Sequence, residues 1–179
     1  MSAPVMPAAV YHGGLTRVEQ IDLSLCTPGK DFGRGFYTTT SGEQAERFAR
    51  IKKRRAGAAE SFVSVYECRP IANLMTHRFT IPDLNWLDFV LFNRGVLGSA
   101  NPILSSHTSI PDVIIGPVAN DTVGVVLGLL TNGAFGDPSS ETAKTIAIAQ
   151  LRTEKLFDQV FFATPAAVSA LTFKEAYVA

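Results

Sequence analysis

The first part of the chain alternates apolar and polar positions in short runs that glycines interrupt. Val10-Tyr11-His12 has the pattern of a short strand stopped by Gly13-Gly14, and the apolar positions from Val18 to Leu23 predict a second one. The run from Phe36 to Thr40 is rich in aromatic and β-branched residues, and Phe62 to Cys68 has the same character. These runs predict β-strands connected by tight turns.

The clearest helix signal lies directly after the run that ends at Thr40. Ser41 and Gln44 form a capping-box pattern, in which the serine side chain caps the first turn of a helix. We expect this helix to end near Gly57, because glycine commonly follows the last helical residue. Its core-facing positions are predicted to be Ala45, Phe48 and Ala49.

The rest of the chain mixes helical and extended patterns in an irregular order. We predict helices from Pro82-Asp83 to Gly95, over Ser140–Leu151, and from Thr164-Pro165 to Leu171. Val113–Gly116 is a fully apolar strand, which implies burial on both faces, and Phe157–Ala163 is a further strand. This order favours a single α+β domain over residues 1–179, with a core from about 10 to 173, rather than a doubly wound sheet.

Composition and charge exclude several classes of protein. The chain is 46% hydrophobic and 18% charged, and its sixteen basic and sixteen acidic side chains cancel. A broadly basic nucleic-acid-wrapping protein is therefore excluded. Cys26 and Cys68 lie far apart and outside a CxxC pattern, which favours a reducing, cytoplasmic setting. The N-terminus lacks the basic start of a signal peptide, and the most apolar run is too short for a bilayer, so we expect no membrane partner.

Metal binding and charge-driven binding receive little support from residue spacing. His12, His77 and His107 follow no zinc-binding pattern, so no metal is expected. The densest charge run comprises Arg47, Arg50 and residues 52–55, and charge runs of this kind are usually solvated helix faces. The alternative is a basic surface that guides an acidic partner or a nucleic acid.

Three short motifs combine polar groups with glycine or aromatic residues. Tyr11-His12-Gly13-Gly14 places an imidazole beside open backbone groups, and Gly33-Arg34-Gly35-Phe36-Tyr37 places an aromatic ring beside two glycines. Asp158-Gln159 opens an otherwise apolar strand, on which the two side chains point to opposite faces. Each motif by itself has an ordinary structural explanation as a turn or a strand end.

Taken in order, the three motifs resemble the His-Tyr-Glu class of ADP-ribosyltransferases, which includes diphtheria toxin and the poly-ADP-ribose polymerases. The chain is also similar to a family of small bacterial proteins on that fold, in which runs like Trp86–Val90 with Asn93-Arg94, and Asp112–Asp121, recur. Several of those proteins look like toxins encoded beside antitoxins. The resemblance implies split antiparallel sheets with flanking helices, and transfer of ADP-ribose from NAD to a macromolecular acceptor, protein or nucleic acid.

The resemblance also implies roles for individual residues. The Gly13 backbone would pair with the nicotinamide amide, His12 would bind a ribose hydroxyl, and Tyr37 would stack on the nicotinamide ring. Arg34 and Gly35 would lie at the same NAD site. Arg94 would either cap its helix or bind the pyrophosphate, a task that suits a guanidinium.

The third motif departs from the pattern of that class. Gln159 stands where a catalytic glutamate is usual, so the charge that opposes a developing oxocarbenium ion is missing. Asp121 and Asp158 are the candidates for supplying it, and Asp121 has a helix N-cap as its alternative role. A catalytically weak or inactive module that binds NAD or a nucleotide, acting through partners, is the alternative to an active transferase.

Overall fold

The computed structural model describes residues 6–96, 101, 103, 110–117, 121–151 and 158–179. Strands and helices are interspersed, which confirms the α+β class. The strands are β1 (Ala9–Gly14), β2 (Phe36–Thr39), β3 (Phe62–Cys68), β4 (Thr76–Arg78), β5 (Val113–Pro117), β6 (Asp158–Phe162) and β7 (Leu171–Val178). The helices are α1 (Gly42–Ala56), α2 (Leu84–Asn93), α3 (Asp121–Thr131), α4 (Glu141–Leu151) and α5 (Pro165–Val168).

The strands form one seven-stranded sheet in the order β4-β5-β6-β2-β1-β3-β7. The β4–β5 pair is parallel and the others are antiparallel, so among the described residues the sheet is mixed and continuous rather than two separate antiparallel sheets. It is nevertheless almost divided at its centre. There β1 pairs with β2 at one position, Tyr11 with Thr39, whereas β1 pairs with β3 from Ala9 to Gly14.

Two hydrophobic layers cover the faces of the sheet. The alternation of side chains along β6 shows this directly, because Phe161 belongs to one layer while Val160 and Phe162 belong to the other. The first layer includes buried residues of α2, α3 and α4, among them Trp86, which is fully buried. The second layer includes Ala167 of α5, and partly buried residues of β7 and of the segment after β1 pack against it. Each face of the central strands is therefore buried, as the apolar β5 pattern predicts.

Helix α1 has the predicted ends but not the whole predicted face. Ser41 caps it by accepting a hydrogen bond from the backbone N–H of Gln44, and Gly57 follows it in the left-handed conformation at φ 63°. Ala45 and Ala49 are buried against the sheet, as predicted. Phe48 is 49% exposed, so its assignment to the core was wrong.

Two predicted elements are corrected by the structure. Residues Val18–Leu23 form no strand, because side chains rather than a neighbouring strand satisfy the backbone: Ser64 Oγ accepts from the Val18 N–H, and the Tyr66 hydroxyl donates to the Val18 carbonyl. A single 3-10 turn follows at Leu23–Leu25. The helix predicted to reach Leu171 ends at Val168, and Leu171 instead begins β7, where it pairs with Cys68.

Candidate functional site

A cleft of about 1180 Å³ opens where β1 and β2 diverge. It is bounded by these two strands, by one face of α1, by the segment from Thr16 to Asp31, and by Gln159 of β6. Ligand pockets generally fall between about 300 and 1,000 Å³. The cleft exceeds this range, so it has room for an extended ligand.

The backbone of Gly13 faces the cleft. The Cys68 N–H donates to Ala8 O (2.9 Å), and hydrogen-bonded pairs alternate along antiparallel strands, so the backbone groups of Tyr11 and Gly13 point toward β2. Tyr11 meets β2 there, but at Gly13 the two strands have already separated. The Gly13 carbonyl instead accepts a hydrogen bond from Lys52 Nζ of α1 (3.0 Å).

Close packing explains why glycine stands at positions 13 and 35. A Cβ atom on Gly13 would lie 2.2 Å from the carbonyl oxygen of Ala45, because α1 crosses directly over β1. A Cβ atom on Gly35 would lie 2.4 Å from Cε2 of Phe161. Real Cβ atoms do not approach so closely, so both glycines are required by the packing of the elements that bound the cleft.

His12 is held in a single orientation beside the cleft. Its ring stacks on Phe36 with centroids 4.7 Å apart, and its Nδ1 lies 2.7 Å from the carbonyl oxygen of Tyr37. Because a carbonyl only accepts, Nδ1 carries the proton and Nε2 of the neutral ring is an acceptor. Burial and the nearby Lys52 ammonium lower the pKa of His12 from 6.5 to about 4, so the ring is neutral at pH 7.

Tyr37 and Gln159 lie on the same face of the sheet. Tyr37 pairs with Phe161 and Thr39 pairs with Gln159, so Tyr37 and Gln159 are diagonal neighbours on adjacent strands. The Tyr37 ring contacts the ring of Phe161, and burial raises the pKa of its hydroxyl. Gln159 is 8% exposed and contributes to the lining of the cleft.

The Tyr37 hydroxyl anchors the loop that precedes β2. It donates to Gly33 O (2.6 Å) and accepts from the Phe32 N–H (3.1 Å). Gly33 has φ 95°, a conformation that glycine adopts without strain. These two hydrogen bonds therefore hold the Tyr37 ring, which lines the cleft, in place. They also hold the loop at the rim of the cleft.

The structure gives the two predicted arginines different places. Arg34 is exposed, donates to Ser24 O and is not among the residues that line the cleft. Arg94 is the C-cap of α2, and its guanidinium forms an ion pair with Asp31 (2.6 Å) at the rim of the cleft. The neighbouring Asn93 donates to Asp31 O (3.2 Å). The end of α2 thus holds the loop that contains Asp31. Arg94 therefore has a structural role and also lies at the rim of the cleft.

The carboxylates proposed to replace a catalytic glutamate are not located. Asp121 is the first residue of α3 and Asp158 the first of β6, but the side chains of both lie outside the described residues. The acidic residues in the described lining are Asp22 and Asp31. Asp31 is paired with Arg94, and Asp22 Oδ1 accepts from the Ser24 N–H (2.8 Å).

Three residues of the predicted charge run, Arg47, Lys52 and Arg55, also line the cleft, and Lys52 is the one whose side chain contacts the Gly13 backbone. The signal was present in its spacing. Ala45, Ala49 and Lys52 follow one another at i, i+4 and i+7, which places Lys52 on the buried face of α1. The following Arg54, by contrast, is exposed and is not among the residues that line the cleft.

Neither a metal centre nor a membrane span is found in the described parts of the chain. No three His, Cys, Asp or Glu residues there lie close enough together to hold a metal ion. No described helix has the length and apolar character needed to cross a bilayer. Cys26 and Cys68 are free thiols.

Comparison with known proteins gives one match. The model of a family described as a protein of unknown function, DUF3990, matches residues 8–173. No curated protein and no solved structure matches the chain. The matched region runs from the residue before β1 to within β7 and so includes the described lining of the cleft. The chain therefore belongs to the DUF3990 family.

Proposed function

We propose that the chain is an NAD-dependent ADP-ribosyltransferase that moves ADP-ribose from NAD to a macromolecular acceptor. The observation that carries the proposal is the divergence of β1 and β2, which leaves the Gly13 backbone facing a cleft that His12, Tyr37 and Gln159 also border. Gly13 supplies backbone groups for the nicotinamide amide, and Tyr37 supplies an aromatic surface for its ring. These are the positions that the resemblance to ADP-ribosyltransferases assigns to NAD.

The geometry supports a division of work among the polar residues. In the transfer, the bond between nicotinamide and ribose C1′ breaks and its electron pair leaves with neutral nicotinamide. A nucleophile of the acceptor bonds to C1′ and gives its proton to solvent water. Nε2 of neutral His12 accepts a hydrogen bond from a ribose hydroxyl, which orients the substrate. Gln159 donates or accepts a hydrogen bond at a hydroxyl of the nicotinamide ribose, where it positions the sugar without adding negative charge.

A binding module without turnover is the second candidate, and a specific observation favours it. Gln159 is neutral, and both carboxylates in the described lining are engaged, Asp31 with Arg94 and Asp22 with Ser24. Nothing in the described lining then opposes the positive charge that develops on the ribose. Such a protein would bind NAD and act through a partner.

The two candidates also differ in their biological setting. In the transferase proposal, the chain is the toxin of a bacterial toxin–antitoxin pair.

Nicotinamide release separates the two candidates. The purified protein is incubated with NAD, with and without cell lysate as a source of acceptor, and free nicotinamide is measured by chromatography. A transferase releases nicotinamide and labels an acceptor, and Tyr37→Ala abolishes both. Tyr177→Ala, a tyrosine change on β7 outside the cleft lining, serves as the control and retains activity. Calorimetric NAD binding without release selects the module, and absence of binding rejects both candidates.

A further inference from the structure

We propose that Lys52 is the phosphate-binding residue of the cleft and that, without ligand, it occupies the Gly13 carbonyl that the ligand's amide needs. This inference rests on the proposed function, because it assigns the Gly13 carbonyl to a nicotinamide amide. It gives Lys52 two alternative partners, the Gly13 carbonyl and a phosphate of the ligand. Recognition of the phosphate and of the amide is then coupled through this one side chain.

The first support is the environment of the Lys52 ammonium. Nζ donates to Gly13 O at 3.0 Å and lies 4.7 Å from the centre of the Phe48 ring. Among the described residues it forms no ion pair with a carboxylate, whereas Arg94 and Lys144 both do. Lys52 is half-buried, and burial together with the nearby Lys30 lowers its pKa. A desolvated ammonium with one neutral acceptor is stabilised by an anion.

The second support is the balance of charge around the cleft. The basic side chains in the described lining are Arg17, Lys30, Arg47, Lys52, Arg55 and Arg94. The acidic ones are Asp22 and Asp31, and Asp31 is paired with Arg94. The cleft therefore carries a surplus of positive charge, although the chain as a whole is neutral. A surplus of this sign concentrates anionic ligands and strengthens their binding.

The third support is the position of Lys52 between two kinds of recognition group. Its contact with Gly13 O blocks an acceptor that faces the cleft at the point where β2 has diverged. A ligand with an amide donor alone must break this contact and leaves the ammonium without a partner. A ligand that also carries a phosphate provides a new partner for the ammonium. The cleft consequently favours a pyrophosphate-containing dinucleotide over free nicotinamide. Weak binding of free nicotinamide suits the proposed reaction, because nicotinamide is the product that has to leave the cleft.

The test compares three probes on wild type, Lys52→Met and Lys53→Met. ADP reports phosphate binding, nicotinamide reports the Gly13 site, and NAD reports both. Lys53→Met is the matched control because Lys53 is the adjacent lysine and does not line the cleft. Affinities for ADP and NAD are measured by calorimetry, nicotinamide binding by ligand-observed NMR, and folding by circular dichroism.

Lys52→Met is expected to weaken ADP and NAD binding by at least about tenfold, as for the loss of one charge-assisted hydrogen bond. Nicotinamide binding should stay equal or become tighter, and Lys53→Met should resemble wild type. Equal ADP affinity in wild type and Lys52→Met overturns the inference. Parallel loss of ADP and nicotinamide binding also overturns it, because it indicates a structural role.

The same measurements separate this inference from the proposed function. If ADP binding depends on Lys52 but NAD neither binds more tightly than ADP nor releases nicotinamide, the transferase proposal fails and the phosphate-binding role of Lys52 stands. If wild type binds neither ADP nor NAD, both fail. If NAD is consumed equally by wild type and Lys52→Met with unchanged KM, the transferase proposal stands and the role of Lys52 is rejected.

Discussion

The imidazole of His12 and the main-chain carbonyl of Tyr37 join β1 to β2 beyond their last backbone pair, with Nδ1 and O 2.7 Å apart. A side chain here does what a ladder hydrogen bond does elsewhere in the sheet. The bond fixes the separation of the two strands at the mouth of the cleft. It also fixes the tautomer of His12, with Nδ1 protonated and Nε2 as the acceptor of the neutral ring.

Acid should weaken the fold through His12. Its pKa is lowered from 6.5 to about 4 in the folded protein, so between these pH values the unfolded chain binds more protons. The free energy of unfolding therefore falls as the pH is lowered through this window, by up to about 3 kcal/mol from this group. Urea unfolding of wild type and His12→Phe at pH 7 and pH 4.5 measures the effect. A fall of equal size in both proteins would show that His12 does not contribute.

Gly13→Ala should destabilise the protein, because the new Cβ would meet the backbone of Ala45 at 2.2 Å. Overpacking of this kind costs about 1–3 kcal/mol, and more where neither backbone can move. Gly128→Ala on α3 is the matched control, since a Cβ there meets nothing within 4 Å. That helical substitution should stabilise by roughly 0.5–1 kcal/mol. Thermal unfolding of both variants tests the contrast, which equal shifts would contradict.

Arg94→Met should loosen the rim of the cleft with little effect on global stability. The ion pair with Asp31 is partly exposed, and such pairs contribute about 0–1 kcal/mol. Exchange of the Phe32 and Gly33 amides, which bond to the Tyr37 hydroxyl and Lys30 O, should accelerate on the order of fivefold. Hydrogen-exchange mass spectrometry of the peptide over this loop reports it. Arg50→Met removes an exposed pair with Glu46 on α1 and should leave the loop unchanged.

Gln159→Glu should increase the rate of nicotinamide release. A carboxylate about 4 Å from the developing positive charge contributes on the order of 4 kcal/mol at an effective dielectric of 20, against roughly 1 kcal/mol for a neutral hydrogen bond. Gln159 is 8% exposed, so part of this gain is lost to desolvation, and an increase of about tenfold is expected. Single-turnover kinetics measures it. A slower variant would contradict this prediction and would show that the N–H donor of the amide, which a carboxylate lacks, is needed at the ribose.

The elements best predicted from sequence are those with local signals at their ends. Ser41 and Gly57 mark α1 by side-chain and backbone capping, and both act as predicted. Residues Val18–Leu23 show the opposite case, because their apolar positions pack under the sheet without pairing in it. Strand β7 was missed since its start at Leu171 depends on pairing with β3, more than a hundred residues earlier in the chain.

The candidate site was predicted in part for a related reason. His12, Tyr37 and Gln159 belong to short motifs and lie around one cleft. Arg34 belongs to such a motif too, but it turns outward to Ser24. Lys52 has no motif and is recognisable only from its register on α1 relative to Ala45 and Ala49. The short motifs thus predicted which strand residues line the cleft. They did not predict where a long side chain such as Arg34 points, because that depends on tertiary packing.

The central place of β6 in the sheet has a consequence for biosynthesis. The hydroxyl of Thr38 donates to Val160 O, so β2 completes its pairing only with a strand that lies 122 residues later in the chain. While a ribosome is still adding that strand, β2 has no partner on that side and the cleft lacks Gln159. Such distant pairing is also slow to form, because a long loop must close first. The nascent chain is therefore without a complete cleft until synthesis has passed β6, although both strands that diverge to open the cleft are made much earlier.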